Sequence, residues 1–369
     1  MKGAMKEAAM WKRTLFLSFL LVNTGAFAAD TPATRPVLSI LKAACDWQLA
    51  HLSTAHLSND HGNNAWIRAP FFLGDLALYR RTGDDRYLTP ILDIAKQNQW
   101  QPGKRPRHAD DQAVGQVYLE LYFLNHDPAE IAPIKDRWDA IMAQPMKGRD
   151  DWWWCDALFM APPALARLAT ATGDHKYIDY LNGQYWDTTD FLYDPAEHLF
   201  FRDKSYFQTR EANGQKIFWS RGNGWVLAGL ASVLQYLPAD DASRPRFVKL
   251  FTEISERVIT LQQPDGFWRT SLLDPASCPG GEASGTGFFC YALAWGVNNG
   301  ILPRDKYQPV VEKAWGALSG AVDGDGKLHW VQLPGAKPAK INSDDTAEYG
   351  VGALLLAGDQ VLKLSEGTK

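Results

Sequence analysis

The chain has 369 residues, 46% of them hydrophobic, and a formal net charge of −4, so there is apolar material for one large core or two smaller ones. A mildly acidic balance with no basic run argues against nucleic acid as a partner, and four cysteines without a C-x-x-C spacing argue against a metal knuckle. The 15 Trp, 13 Tyr and 17 Phe are unusual; part of that excess is core, and aromatic faces also suit stacking on sugar rings.

At the N-terminus, Lys12 and Arg13 precede an apolar run from Thr14 to Val22, and Ala26-Phe27-Ala28 follows. A charged region, an apolar region and an A-x-A site read as a secretory signal peptide over residues 1–28. The mature chain, residues 29–369, is then one periplasmic or secreted domain. The run is shorter than the roughly 20 residues of a membrane span. No second such stretch follows, so no membrane attachment is expected after cleavage. An oxidising compartment permits disulfides. Cys278 and Cys290 are the nearest pair in sequence, and a bridge between them is allowed rather than expected. Cys155 has no His near it in sequence to activate it and reads as a packing residue.

Helical spacing then runs almost unbroken. From Pro36 to Leu52, apolar residues fall at Val37, Leu38, Leu41, Ala44, Cys45 and Leu49. Similar faces cover Phe71–Arg81, Leu88–Asn98, Gln112–Leu124, Asp156–Thr172, Lys176–Thr188 and Asn223–Leu237. They continue through Phe247–Gln262, Gly287–Asn298, Pro309–Ala321 and Thr346–Leu364. Strand-like alternation is scarce, with Lys327–Gln332 a candidate hairpin.

One corner occurs twice. Leu76–Leu88 parallels Leu165–Ile178: each has a helix stopped by Gly, an Asp that caps the next helix, and a Tyr that packs back. Repeated helical hairpins build either a solenoid or a closed ring. The absence of a strict short period, and long loops at residues 204–215 and 274–284, favour a closed all-α toroid with its site on one rim.

Three segments are too polar and aromatic for ordinary helix starts. His108-Ala109-Asp110-Asp111 holds two acids where a cap needs one. Trp152-Trp153-Trp154-Cys155-Asp156 reads either as a capped helix with core indoles or as an acid beside a cavity. Three consecutive Trp cannot all face inward, and a carboxyl desolvated by indoles stays protonated, as a general acid must. Trp219-Ser220-Arg221-Gly222-Asn223-Gly224-Trp225 has glycines suited to a tight turn before a helix. Arg221 and Trp225 then offer a carboxylate fork and a stacking face on one rim, or simply a surface Arg beside a capped start. No P-loop, nucleophile elbow, H-E-x-x-H or dinucleotide fingerprint is present. A carboxylate-based hydrolase without cofactor or metal is the simplest chemistry left.

These motifs resemble glycoside hydrolase family 105, the unsaturated rhamnogalacturonyl hydrolases, which are related to the unsaturated glucuronyl hydrolases. The matching stretches are Trp154-Cys155-Asp156-Ala157-Leu158-Phe159-Met160-Ala161-Pro162-Pro163, Trp219–Trp225, Leu273-Asp274-Pro275, Glu282–Phe289 and Tyr349-Gly350-Val351-Gly352-Ala353. The resemblance spans about residues 35–365. It implies an (α/α)6 barrel, and a lyase-generated pectin or rhamnogalacturonan oligosaccharide as substrate. Its terminal uronic residue carries a C4–C5 double bond, and the family hydrates that vinyl ether. The resemblance gives Asp156 the proton transfer to C4 and the activation of water at C5. It gives Asp110 or Asp111 an assisting role, with Asp111 preferred. Trp154, Arg221 and Trp225 become sugar-binding residues, with His108 beside them. Where several members carry a His before the Arg-Gly-Asn-Gly-Trp element, this chain has Arg202, which suggests altered recognition of the carboxylate or of the next sugar.

Other readings compete: an unsaturated glucuronyl hydrolase on other uronide-containing glycans, an ordinary glycosidase or a sugar epimerase on the same toroid, and a non-catalytic glycan binder. A sugar epimerase needs His as acid and base, and of His51, His56, His61, His108, His126, His175, His198 and His329 only His108 sits in an unusual segment. A non-catalytic glycan binder would keep Trp154, Arg221 and Trp225 without needing an acid at Asp156. The protein is expected to act as a monomer or weak dimer.

Overall fold

The structure, a computed structural model, describes residues 36–52 and 62–367. The proposed signal peptide, His56 and His61 lie outside them. Among the described residues, twelve longer helices follow one another. They are α1 (Val37–Ala50), α2 (Ala69–Thr82), α3 (Thr89–Gln97), α4 (Val114–Asn125), α5 (Ala132–Met142) and α6 (Pro162–Thr172). Then come α7 (Lys176–Leu192), α8 (Ser220–Tyr236), α9 (Arg244–Ile259), α10 (Ala283–Asn298), α11 (Arg304–Gly320) and α12 (Glu348–Glu366). The even-numbered helices pack on one another in order, α2 on α4 through to α10 on α12, and α12 returns to α2. That closes an inner ring of six, with the odd-numbered helices outside it: the expected (α/α)6 barrel.

The sequence of each layer matches its place. On outer α9 only Phe247, Leu250, Phe251, Ile254, Ser255 and Val258 are buried, a single helical stripe. On inner α8, residues 220–234 are all buried, as are residues 283–297 of α10. A helix covered on every side needs small residues where backbones meet. A Cβ at Gly352 of α12 would lie 2.4 Å from the Pro70 carbonyl of α2.

The repeated corner is as expected. Gly83 and Gly173 adopt φ of 67° and 71°, and Asp84 and Asp174 accept from the backbone N–H groups of Arg86 and Lys176. Tyr87 and Tyr177 are fully buried. A third copy follows α4, with His126 at φ 56° in the glycine position and Asp127 accepting from Ala129 N–H. Without the glycine, that copy was hidden.

Other expectations need correction. Helix α5 has no counterpart among the expected elements, although Ile134, Trp138 and Ile141 give it a buried stripe. Pro309 lies inside α11 rather than at its start. Residues 327–332 form no regular strand; a tight antiparallel turn pairs Leu328 with Val322, and His329 N–H donates to the Ala321 carbonyl. The paired strands are instead Tyr193–Asp194 and Leu199–Phe200, antiparallel, with Tyr193 opposite Phe200. All four cysteines are free. The Arg-Gly-Asn-Gly segment is not a turn but the first turn of α8. Gly222 lets that turn approach Cys155, whose Sγ would lie 3.1 Å from a Cβ there. Asn223 donates to and accepts from the backbone of Phe200 at 3.0 and 2.7 Å, fixing the short hairpin to α8.

Candidate active site

Every inner helix begins on the same rim, because each follows an outer helix that returns the chain to it. The leads into these helices carry Arg68, Asp110, Asp156, Trp219, Glu282 and Ala347. Helix N-termini carry partial positive charge, so six of them facing one rim favour an anionic ligand.

Asp110 and Asp111 sit in a short helix, Ala109–Gln112, that leads into α4. Neither caps it: the N-cap is His108, whose side chain makes no capping bond. The two acids diverge. Asp111 is clamped by Arg105, accepting from its backbone N–H at 2.6 Å and from Nη2 at 2.7 Å. Burial raises the Asp111 carboxyl, but the hydrogen bonds from Arg105 outweigh it and leave the carboxyl below its usual value. Gly103 closes over this clamp so tightly that a Cβ would lie 2.5 Å from the Asp111 side chain. Asp111 is therefore engaged in holding the loop, and the preference for it as the assisting acid does not fit this geometry. Asp110 makes no such clamp and lies within electrostatic range of Asp156. Burial first, and then the charge of Asp156, push Asp110 up to about 7. His108 lies 3.6 Å from Asp110 through Nδ1 and packs its ring 4.7 Å from that of Trp154.

Asp156 leads into a second short helix, Ala157–Met160, and its side chain makes no capping bond either. The residue is 8% exposed. Burial raises its carboxyl, while the nearby guanidinium groups of Arg202 and Arg221 pull it back down. Cys155 beside it is fully buried packing, as expected. Of the three consecutive Trp, Trp152 and Trp154 are buried and Trp153 is 43% exposed. The open indole is thus Trp153, one residue before the one expected.

Arg202 is brought to the site by the short hairpin. Cys155 N–H donates to the Arg202 carbonyl at 2.8 Å. The Arg202 Nε lies 3.8 Å from Asp156 Oδ2, its Nη1 donates to Asp203 at 2.7 Å, and its guanidinium covers the Trp153 ring at 5.0 Å.

Arg221 and Trp225 are placed differently from expectation. Arg221 is 1% exposed. It donates to the carbonyls of Gln332 and Leu333 and lies between the rings of Trp219 and Tyr349. It binds a rim loop in place and reaches Asp156 only through its charge. Trp225 is fully buried against Phe159 and Phe288, with ring centroids at 4.7 and 4.1 Å. Sequence reading missed Trp66, half-buried, stacked on Tyr349 at 5.6 Å and edge-on to Trp225. It also missed the buried pair of Arg68 and Glu348, 3.5 Å apart. The run Trp66-Ile67-Arg68 before α2 repeats the polar-aromatic character of the other rim segments, which was the available signal.

The rim therefore combines two desolvated carboxyl groups, cations that limit how far their proton affinity rises, and indoles suited to a sugar ring. The chain resembles known proteins over nearly its whole length. It is 41% identical to the unsaturated 3S-rhamnoglycuronyl hydrolase of Formosa agariphila over 342 residues, which covers 88% of this chain and 89% of that protein. It is 35% identical to the unsaturated 3S-rhamnoglycuronyl hydrolase of an Alteromonas species, with 91% and 89% covered. The solved structure of a glycosyl hydrolase family 88 protein from Bacteroides vulgatus superposes with a TM-score of 0.83 at 31% identity, covering 89% of this chain and 98% of that one. The family model of Glycosyl Hydrolase Family 88 matches residues 40–365, and the chain belongs to that family of glycoside hydrolases.

Proposed function

We propose that the protein removes a 4,5-unsaturated uronic residue from the non-reducing end of an oligosaccharide, and that the sugar next to it is rhamnose. The linkage to rhamnose draws on the printed activities of the two relatives and agrees with the motif resemblance. The observation that carries the proposal is the influence of Asp156 on Asp110: a buried carboxyl beside a half-buried one, the latter raised to about 7 by desolvation first and then by the charge of Asp156. Such a pair holds a proton at neutral pH.

Asp156 gives its proton to C4 of the vinyl ether, and the cation formed at C5 is attacked by water. The Asp156 carboxylate, eased into its charged form by Arg202 and Arg221, takes a proton back from that water. The resulting hemiketal opens to the keto acid and releases the next sugar with its hydroxyl. Asp110 shares the proton and orients the substrate hydroxyls. Trp153 supplies the ring contact, Trp154 packs against that indole and against His108, and His108 positions Asp110. Arg221 and Trp225 support the rim from beneath.

The test is the ultraviolet absorbance of the unsaturated residue on lyase-treated rhamnose-containing uronans. Its loss, abolished in Asp156→Asn, supports hydration. Binding without any loss of absorbance on every unsaturated uronide tried overturns it. We further infer export, on the leader-like pattern of residues 1–28; a mature protein that retains Lys12 and Arg13 would refute this.

A further inference from the structure

We propose that the opposite end of the barrel carries a second, non-catalytic site for an acidic sugar, a ring-sized ligand bearing a carboxylate or a sulfate ester. A cavity of about 660 Å³ opens there, lined by the C-terminal halves of the inner helices. That size lies within the range of about 300–1,000 Å³ typical of small-molecule sites. The proposal does not depend on the reaction assigned to the other rim.

Charge sets the class of ligand. Four cations line the cavity, Arg80, Arg81, Arg167 and Lys363, against two carboxylates, Glu120 and Asp359. Each carboxylate is shared by two cations. Glu120 meets Arg80 at 2.6 Å and Arg167 at 2.7 Å. Asp359 meets Arg81 at 3.1 Å and Lys363 at 2.7 Å. A third acid, Glu366, draws on Arg81 from the outer edge at 2.8 Å. Among the side chains alone, one positive charge is left over. Cations suit the negative ends of helices, which accounts for their presence here but not for the hollow between them. Protein interiors are close-packed, and voids of this size are few.

The floor is fixed and the mouth is adjustable. Arg167 is held by Ser232 Oγ at 2.9 Å and the Pro163 carbonyl at 3.1 Å, and lies 4.5 Å from the centre of the Tyr236 ring. The Tyr236 hydroxyl donates to Glu120 at 2.6 Å. Arg80 and Lys363 at the mouth have side chains 39% and 49% exposed, free to turn from their carboxylates to an incoming oxyanion. The exposed amide of Gln235 on the wall can meet a sugar hydroxyl, which favours an acidic sugar over a bare ion.

The test titrates glucuronate, inorganic sulfate and neutral glucose into the intact protein by calorimetry. Two variants are compared with it. Lys363→Glu reverses a mouth charge, and Ala77→Trp fills the cavity from α2. Melting temperatures verify that both fold. The expected result is a saturable site for glucuronate or sulfate but not glucose, additional to any uronate binding at the catalytic rim, weakened at least tenfold by Lys363→Glu and abolished by Ala77→Trp, with hydrolysis rates unchanged. Binding of glucuronate alone identifies a carboxylate as the recognised group, of sulfate alone a sulfate. Equal binding of glucose, undiminished acid binding in both folded variants, or no acid binding by the parent protein each overturns the proposal.

Discussion

Asp156 lies close enough to Asp110 that its charge, added to burial, holds the Asp110 carboxyl up to about 7. The charge state of Asp156 therefore bears on how Asp110 titrates. Asp156→Asn removes that charge, so the Asp110 pKa should fall below about 7, readable by carboxyl NMR. In the parent protein kcat/KM should decline as pH rises past about 7, when the shared proton is lost. Either single Asn variant should lose roughly 10²–10⁴-fold in kcat, the usual worth of a general acid or base. A fully active Asp156→Asn protein would remove Asp156 from the chemistry.

Arg202 acts on the same pair from the other side. At 3.8 Å its guanidinium favours the Asp156 carboxylate. Arg202→Gln should therefore raise the Asp156 pKa further and move the alkaline limb of the pH–rate profile upward. Arg202→Lys should restore the charge but not the planar cover over Trp153, recovering the pH profile more fully than KM. An unshifted profile in Arg202→Gln would refute electrostatic control by this residue.

Asp111 separates a structural acid from a functional one. Its clamp on Arg105 lowers its pKa, so its stabilisation is present above the ordinary value of 3.8 and is lost as pH falls below it. Asp111→Asn should lower the melting temperature at neutral pH and reduce kcat far less than Asp110→Asn. Gly103→Ala should mimic it, since the added Cβ meets the Asp111 side chain at 2.5 Å. A kcat loss in Asp111→Asn equal to that of Asp110→Asn, at unchanged stability, would restore Asp111 as the assisting acid.

How much of this was legible follows from what each signal measures. Periodicity reports burial along one element, so eleven of the twelve inner and outer helices were visible over most of their length, while α5, rich in charge between Ile134, Trp138 and Ile141, was not. Asp156 stood out because an acid beside indoles is chemically odd. The choice between Asp110 and Asp111 was not legible, since neighbours on a helix point in different directions and only the position of Arg105 decides which is clamped. Arg221 and Trp225 misled for a related reason. The residue types that bind sugars are also those that lock a rim, and their burial is a property of the folded barrel alone.

The far end offers a test of stability rather than catalysis. Glu120 is buried, and although burial raises its carboxyl, Arg167 and Arg80 hold it down at about 2. Its contribution is fully present above the ordinary value of 4.5 and is lost as pH falls toward about 2. Glu120→Gln should cost about 3–5 kcal/mol at neutral pH, because Arg167 is left buried without its carboxylate. Between these pH limits the parent should lose stability faster than the variant in chemical denaturation. Parallel curves would show that Glu120 is not the group responsible.

Trp153 and Trp225 divide the two tasks that the sequence assigned to indoles together. Trp225 is fully buried among Phe159 and Phe288, so Trp225→Ala should open a cavity costing about 3–5 kcal/mol. Trp153 is 43% exposed and touches the site through Arg202 and Trp154. Trp153→Ala should leave the melting temperature nearly unchanged while raising KM, because ring stacking binds the ground and transition states alike. Losing it should also free the Arg202 guanidinium from its aromatic cover, so Trp153→Ala and Arg202→Gln should be less than additive in KM. Strict additivity would show that the two side chains contact the substrate independently.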